Sequence, residues 1–315
     1  MKEKPMASPS HMAFADEKGY NLGRYRAISL VSLEASHAAT YRQALKSLLE
    51  ESQVREFKWE KLGSARERFA AMKLVAFVIE QACSRGMRVD TLMWDIEDSR
   101  HRISGRDDIG NLGRMYYHLL KNVLCNRWPD GASWVFCPDE NSALRWQTMH
   151  DCLTAVSTKT ETTRDLFTQG KFQVRLKREF RIETINPCKS HEEPLVQLGD
   201  LFAGLAVYSR ISYDRFECWK RSNSAQKALF DSRVYGSAML SKADKERCFV
   251  LDVLDAGCKA RRLGVSLKTA RGLKTFDDSK PINFWWYAPQ HDADRAPRKE
   301  RGKISHKNRG EKCQI

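Results

Sequence analysis

None of the nine cysteines stands in a Cys-x-x-Cys pair, which argues against a zinc-ribbon site, and an odd count argues against a closed disulfide framework. Several sit in apolar stretches, Cys83 in EQACSRG and Cys137 in SWVFCPDE, as reduced core thiols do. No apolar run is long enough to span a bilayer, since FAAMKLVAFVIEQA is interrupted by Lys73. The opening MKEKPMASPS has no apolar signal-peptide region. These absences predict a cytoplasmic protein with no membrane partner. Internal repeats and Gly/Ser linkers are also missing. Acids are in the minority: 40 Asp and Glu face 54 Lys and Arg, a formal net charge of +14. That excess favours a polyanionic partner, of which nucleic acid is the commonest soluble kind.

What is present alternates strand and helix patterns. AFAD and RAISLVSLE read as two strands around the turn EKGYNLGR. SHAATYRQALKSLLEES has helical spacing, and REFKWEKLG reads as a short strand or extended segment ended by Gly63. Ser64 is placed to cap a helix whose predicted buried face is Phe69, Met72, Val75, Ala76 and Ile79. RVDTLMWD and ASWVFC are further strands, each followed by a helix, NLGRMYYHLLKNVLC and SALRWQTMHDCLTAV. FQVRLKREFRIETI is strand-like and precedes the helix EPLVQLGDLFAGLAVYSR. The predicted class is α/β, a mixed sheet flanked by helices, with a helical C-terminal elaboration. The expected organisation is an N-terminal extension over 1–11, a core over 12–211, and the elaboration over 212–290, whose aromatic KPINFWWYAPQ docks back on the body. A basic tail over 291–315 is polar, aperiodic and expected to be disordered when free.

Four segments place an acid where chemistry would need one. Asp16, with Glu17 beside it, ends the first strand; Glu56 lies in EFKWEKL; Asp95 ends TLMWD; Asp200 interrupts the apolar helix VQLGDLFAG. Asp200 shares a helix stripe with Gln197, Ala203, Gly204 and Val207, and small residues there let another backbone approach. An Asp in so apolar a helix needs a partner, either a metal ion or, as readily, an Arg or a nearby backbone group. Strand-end acids such as Asp16 and Asp95 also commonly cap turns. Oxygen donors from two strand ends and one helix suit Mg²⁺ or Mn²⁺. Two such ions about 4 Å apart would activate water and stabilise the leaving oxygen in phosphodiester cleavage. Asp139, in FCPDEN, is held in reserve with Glu17, because an acid there also suits the start of a helix. His101, His150 and His191 lie nearby without a zinc-binding spacing.

FADEKG, EFKWEKL and PLVQLGDLFAGLAVY together resemble the domain-of-unknown-function 3800 family, over roughly residues 12–210, with KPINFWWYAP similar to the family's C-terminal close. The resemblance implies a ribonuclease H-like fold and metal-dependent nuclease chemistry, in some members linked to mobile elements and phage defence. Asp16 matches the first-strand acid, Glu56 the Glu-x-Lys acid and Asp200 the acid of the late helix; Asp95 fits an expected strand-end acid. Lys18 replaces the usual Ser and Gly199 the usual Ala, and neither change removes a carboxylate. The implied metal ligands are Asp16, Asp95 and Asp200, with Glu56 as a fourth ligand or a water-positioning group. Lys58, and also Lys18, are the expected phosphate contacts.

Two other accounts compete. Glu56-Phe57-Lys58 is the E-x-K half of a restriction-type nuclease site, in which Lys58 is indispensable and Asp200 is not. A non-catalytic nucleic-acid-binding or assembly component is the other, supported by RFECWKR, NFWWYAP and the tail cations Arg298, Lys299, Arg301 and Lys303. Trp285 and Trp286 suit a core role as well as base stacking. Either account leaves room for a partner protein or activator.

Overall fold

The computed structural model describes residues 9–19, 23–98, 108–140, 142, 144, 180–223 and 240–288. The two opening runs form β1 (His11–Lys18) and β2 (Tyr25–Glu34), and β3 (Met87–Asp95), β4 (Trp134–Pro138) and β5 (Ile182–Ile185) follow. β6 (Val265–Ser266) and β7 (Lys274–Thr275) make a small separate ribbon, and β8 (Ile282–Trp286) closes the described chain. The main sheet has the order β5-β4-β1-β2-β3-β8. β1, β2 and β3 are antiparallel neighbours, whereas β4 pairs parallel with β1, β5 with β4 and β8 with β3. The aromatic KPINFWWYAPQ thus docks back as a sixth strand.

Helices cover both faces, so the strands read as nearly continuous apolar runs rather than alternating ones. Phe14, Val31, Val89 and Cys137 face a core shared with α1 (Ala38–Glu51), α2 (Ala65–Cys83), α4 (Pro194–Ile211) and α6 (Lys242–Ala260). Ala13, Ala15, Leu30 and Leu92 face a second core under α3 (Asp108–Leu120). α5 (Tyr213–Asn223) packs through Phe216 and Trp219 on the first core. The predicted face of α2 is corrected. Its buried residues are Ala70, Ala71, Leu74, Val75, Val78, Ile79 and Ala82, while Phe69 is 51% exposed beneath the Arg68 guanidinium. Val75 and Ile79 are buried as predicted; the helix packs against α6, β3 and α1, and Phe69 lies outside these contacts. Ser64 does stand at the N-cap, but its hydroxyl bonds Glu67 rather than the backbone. REFKWEKLG is extended and ends in a single 3-10 turn, Trp59–Lys61, rather than a strand.

α4 decides the position of the site. Pro194 at its first turn and the Glu193 side chain, which accepts from the Leu195 N–H at 3.2 Å, fix its start. It then runs buried on nearly every side, against β1 and β2. The helix predicted over SALRWQTMHDCLTAV, most of FQVRLKREFRIETI and the tail from Arg295 lie outside the described residues.

Candidate active site

Strand alternation separates the opening acidic pair. Asp16 continues the Phe14 side and faces α4, whereas Glu17 continues the Ala15 side and accepts the Tyr116 hydroxyl of α3 at 2.6 Å. Asp16 is 7% exposed and takes the Glu17 N–H on Oδ1 at 2.8 Å. Parallel pairing of β4 with β1 sets Ala15 opposite Pro138, and the Asp139 N–H donates to the Ala15 carbonyl at 2.9 Å. Asp139 therefore follows β4 beside Asp16, and it too is buried.

Asp200 reaches the same point from α4. The helix approaches β1 so closely that a Cβ on Gly199 would lie 2.9 Å from the Asp16 nitrogen and 3.0 Å from its Cβ. Buried to 4% exposure, Asp200 has partners for both oxygens. Oδ2 accepts the Trp59 N–H at 2.5 Å, and Oδ1 stands 3.5 Å from the Lys18 ammonium, which also donates to Glu60 at 2.8 Å. The helix stripe read from the sequence thus receives the segment Phe57–Trp59. Gln197 Oε1 accepts the Phe57 N–H at 2.8 Å while its Nε2 donates to the Ser190 carbonyl at 2.6 Å. At Gly204 an added Cβ would fall 2.2 Å from the Trp59 ring.

This docking carries Glu56 and Lys58 to the acids. Ser190 Oγ donates to Glu56 Oε1 at 2.5 Å. The Lys58 ammonium lies 3.6 Å from Glu56 and 3.9 Å from Asp139. Burial, and then the neighbouring charges of Asp200, Glu17 and Asp139, hold the Asp16 carboxyl well above the usual carboxylate range. Burial raises Asp200 as well, against the opposing pull of Lys18, the Trp59 N–H and Lys58. For Lys58, burial works to lower its pKa, but Asp16, Asp139, Asp200 and Glu56 together raise it.

Asp95 is not brought to this group. β2 aligns Asp16 with Ser29 and Ser29 with Thr91, so Asp95 lies four residues further along β3, roughly 13 Å, and two strands away. It is clasped by Arg24, whose Nε and Nη2 donate at 2.8 and 2.6 Å. Sequence reasoning ranked Asp139 below Asp95 because the order of strands in the sheet is not written in either segment. Gln197 was legible only as a member of the Asp200 stripe, and Ser190 and Glu60 carried no recognisable signal. Among the described residues, no three His, Cys, Asp or Glu side chains already converge as a metal-binding group. His191 is exposed beside Glu192, whereas His101, His150, Arg298, Lys299, Arg301 and Lys303 lie outside the described residues. The seven described cysteines are free thiols. No described helix is long and apolar enough to cross a membrane.

No family model matches the chain. Two curated proteins of Methanothermobacter thermautotrophicus do. Uncharacterized protein ORF2′ is 39% identical over 299 residues, covering 92% of this chain and 99% of that protein. Uncharacterized protein ORF2 is 39% identical over 292 residues, covering 90% and 96%. At that identity over nearly the whole of each chain, this protein belongs to the family of ORF2′ and ORF2.

Proposed function

We propose that the protein is a Mg²⁺- or Mn²⁺-dependent nuclease built on a ribonuclease H-like core. The fold reading is supported by three antiparallel strands, β1 to β3, followed by β4 and β5 parallel to β1. One observation carries the chemistry: Asp16 is buried within electrostatic reach of Asp139 and Asp200, which are themselves buried, although burial penalises the charge of Asp16 and of Asp200. Such an arrangement destabilises the fold and is characteristic of sites that need the charge. An all-oxygen donor set suits a hard divalent cation.

In this reading Asp16, Asp139 and Asp200 hold the cation. Bound there, it would polarise the phosphodiester and lower the pKa of attacking water. Glu56, steadied by Ser190, orients the water, and Lys58 turns from Glu56 and Asp139 to the scissile phosphate. Lys18 neutralises Asp200 in the resting protein.

The Lys58 contacts with Glu56 and Asp139 also suit the E-x-K account, and one set of variants separates the two. Cleavage of single- and double-stranded DNA and RNA would be followed with Mn²⁺ or Mg²⁺. The proposal expects Asp16→Asn and Asp200→Asn to lose about 100-fold or more of the rate, and calorimetric cation binding to fall with them. An active Asp200→Asn beside an inactive Lys58→Met would favour the E-x-K account. Nucleic-acid binding with neither cleavage nor cation binding would replace the nuclease with a non-catalytic binding component.

A further inference from the structure

At the opposite end of the sheet from the carboxylates lies a cavity of about 780 Å³. It opens where β3 and β8 begin, at Met87 and Pro281, and where α2 and α6 end. Arg85, Arg88, Arg127, Arg261, Arg262 and Lys280 line it, and none of its described lining residues is acidic. Asp16 is separated from Met87 at this end by four residues along the strand direction, roughly 13 Å, and by two strands.

The five arginines divide into two groups, and Lys280 lies 4.0 Å from Asp277. Arg88 and Arg127 are anchored: both pair with the buried Asp90, and Arg88 Nη2 also donates to the Lys280 carbonyl at 2.9 Å. Arg85, Arg261 and Arg262 have no hydrogen bond or ion pair through their side chains among the described residues, and all three are exposed. Two of these occupy an unusual backbone position. α2 and α6 end alike: the Arg85 N–H bonds the Ala82 carbonyl and Gly86 bonds Gln81, just as Arg262 bonds Lys259 and Leu263 bonds Cys258. In this closure the residue after the cap turns left-handed, which favours glycine. Arg85 and Arg262 hold φ of 61° and 54° there. The negative ends of two helices favour cations nearby. They do not account for Arg88, Arg127 and Lys280 arriving at the same cavity from β3, from the segment after α3 and from the entry to β8. One wall is stiff and aromatic: Trp128 donates to Ser32 Oγ at 2.9 Å and packs edge-on against Trp134.

We propose that this cavity is a phosphate-binding site for a run of phosphate groups, supplied either by a free nucleotide or polyphosphate or by a stretch of nucleic-acid backbone. Guanidinium forks match phosphate oxygens two at a time, and five of the six cations are arginine. The volume exceeds what one inorganic ion would fill, and cations approach from several directions.

Calorimetry without divalent cations tests this independently of the carboxylate site. The full chain would be titrated with inorganic tripolyphosphate, ATP, a short single-stranded oligonucleotide and a polyglutamate peptide. Arg85→Gly with Arg262→Gly removes two guanidinium groups while placing at both positions the residue the backbone favours, so folding is retained. The expected result is saturable binding of a phosphate ligand, weakened about tenfold or more in this double variant but not in Lys46→Ala with Arg55→Ala. Tripolyphosphate and ATP binding would identify a free polyphosphate, and binding of the oligonucleotide alone would identify the backbone. No phosphate binding, equal affinity for polyglutamate, or indifference to the Arg85 and Arg262 changes would overturn the proposal.

Discussion

Asp16 concentrates the electrostatic cost of the candidate site. Because its folded pKa is raised, by burial first and by Asp200, Glu17 and Asp139 next, the folded chain binds a proton more tightly than the unfolded chain does. The stability associated with that proton is fully present below the unfolded value, near 3.8, and is lost as pH rises through the folded pKa. Asp16→Asn keeps an acceptor for the Glu17 N–H and removes the charge. It should therefore raise stability at pH 7 by about 1 kcal/mol, seen as a melting temperature about 2 °C higher. The gain should shrink as pH approaches 4. Thermal unfolding at both pH values measures it, and an equal loss of stability at both would show that Asp16 is a structural hydrogen-bond acceptor instead. At this scale the sequence was informative about chemistry. Asp200 stood out as a carboxylate in an apolar helix, and its stripe of small residues proved to be a docking face. What it could not reveal was that the backbone of Trp59 and the ammonium of Lys18 would be the groups meeting it.

Among the elements, α4 determines whether the acids meet. Its contact with β1 depends on Gly199, where no Cβ intervenes between helix and strand. Gly199→Ala should force the helix away from Asp16 and destabilise the protein by about 1–3 kcal/mol. Chemical denaturation would show this as a lower midpoint, and any cation affinity should fall more than stability alone explains. An unchanged midpoint would mean that the helix can slide at no cost. Element types were legible because apolar periodicity records the buried face of α1, while continuous apolar runs mark β1, β2, β3 and α4 as covered on all sides. The face of α2 was legible only in part, at Val75 and Ile79. Its apolar residues exceed what one face can bury, and the sequence carries no mark that Ala70, Ala71 and Ala82 go inside while Phe69 stays out.

Across the whole molecule, charge is distributed unevenly. Buried carboxylates gather at one end of the sheet and a group of arginines at the other, within a chain of net charge +14. The segment from Arg295 to the last residue adds eight Lys and Arg against two Glu. Deleting it should weaken nucleic-acid binding and flatten the salt dependence, by about 0.7–0.9 in logarithmic slope for each phosphate that is no longer neutralised. Cation binding at the carboxylates should be unaffected. Titration of an oligonucleotide at several salt concentrations tests this, and unchanged binding at low salt would remove the tail from the interface.

The sequence by itself determined the α/β class, most of the described strands and helices, and the residue types able to hold a cation or a phosphate. Those properties are local, written in periodicity, caps and side-chain chemistry. The tertiary structure alone decided which acids are neighbours. It set β4 beside β1, so that Asp139 joins Asp16, and left Asp95 two strands away in the grasp of Arg24. Strand order depends on long-range pairing between segments far apart in the chain, and neither segment states its neighbour. The same holds for the arginine cavity, whose residues come from four separate parts of the chain and meet only because two helices and two strands share one end of the sheet.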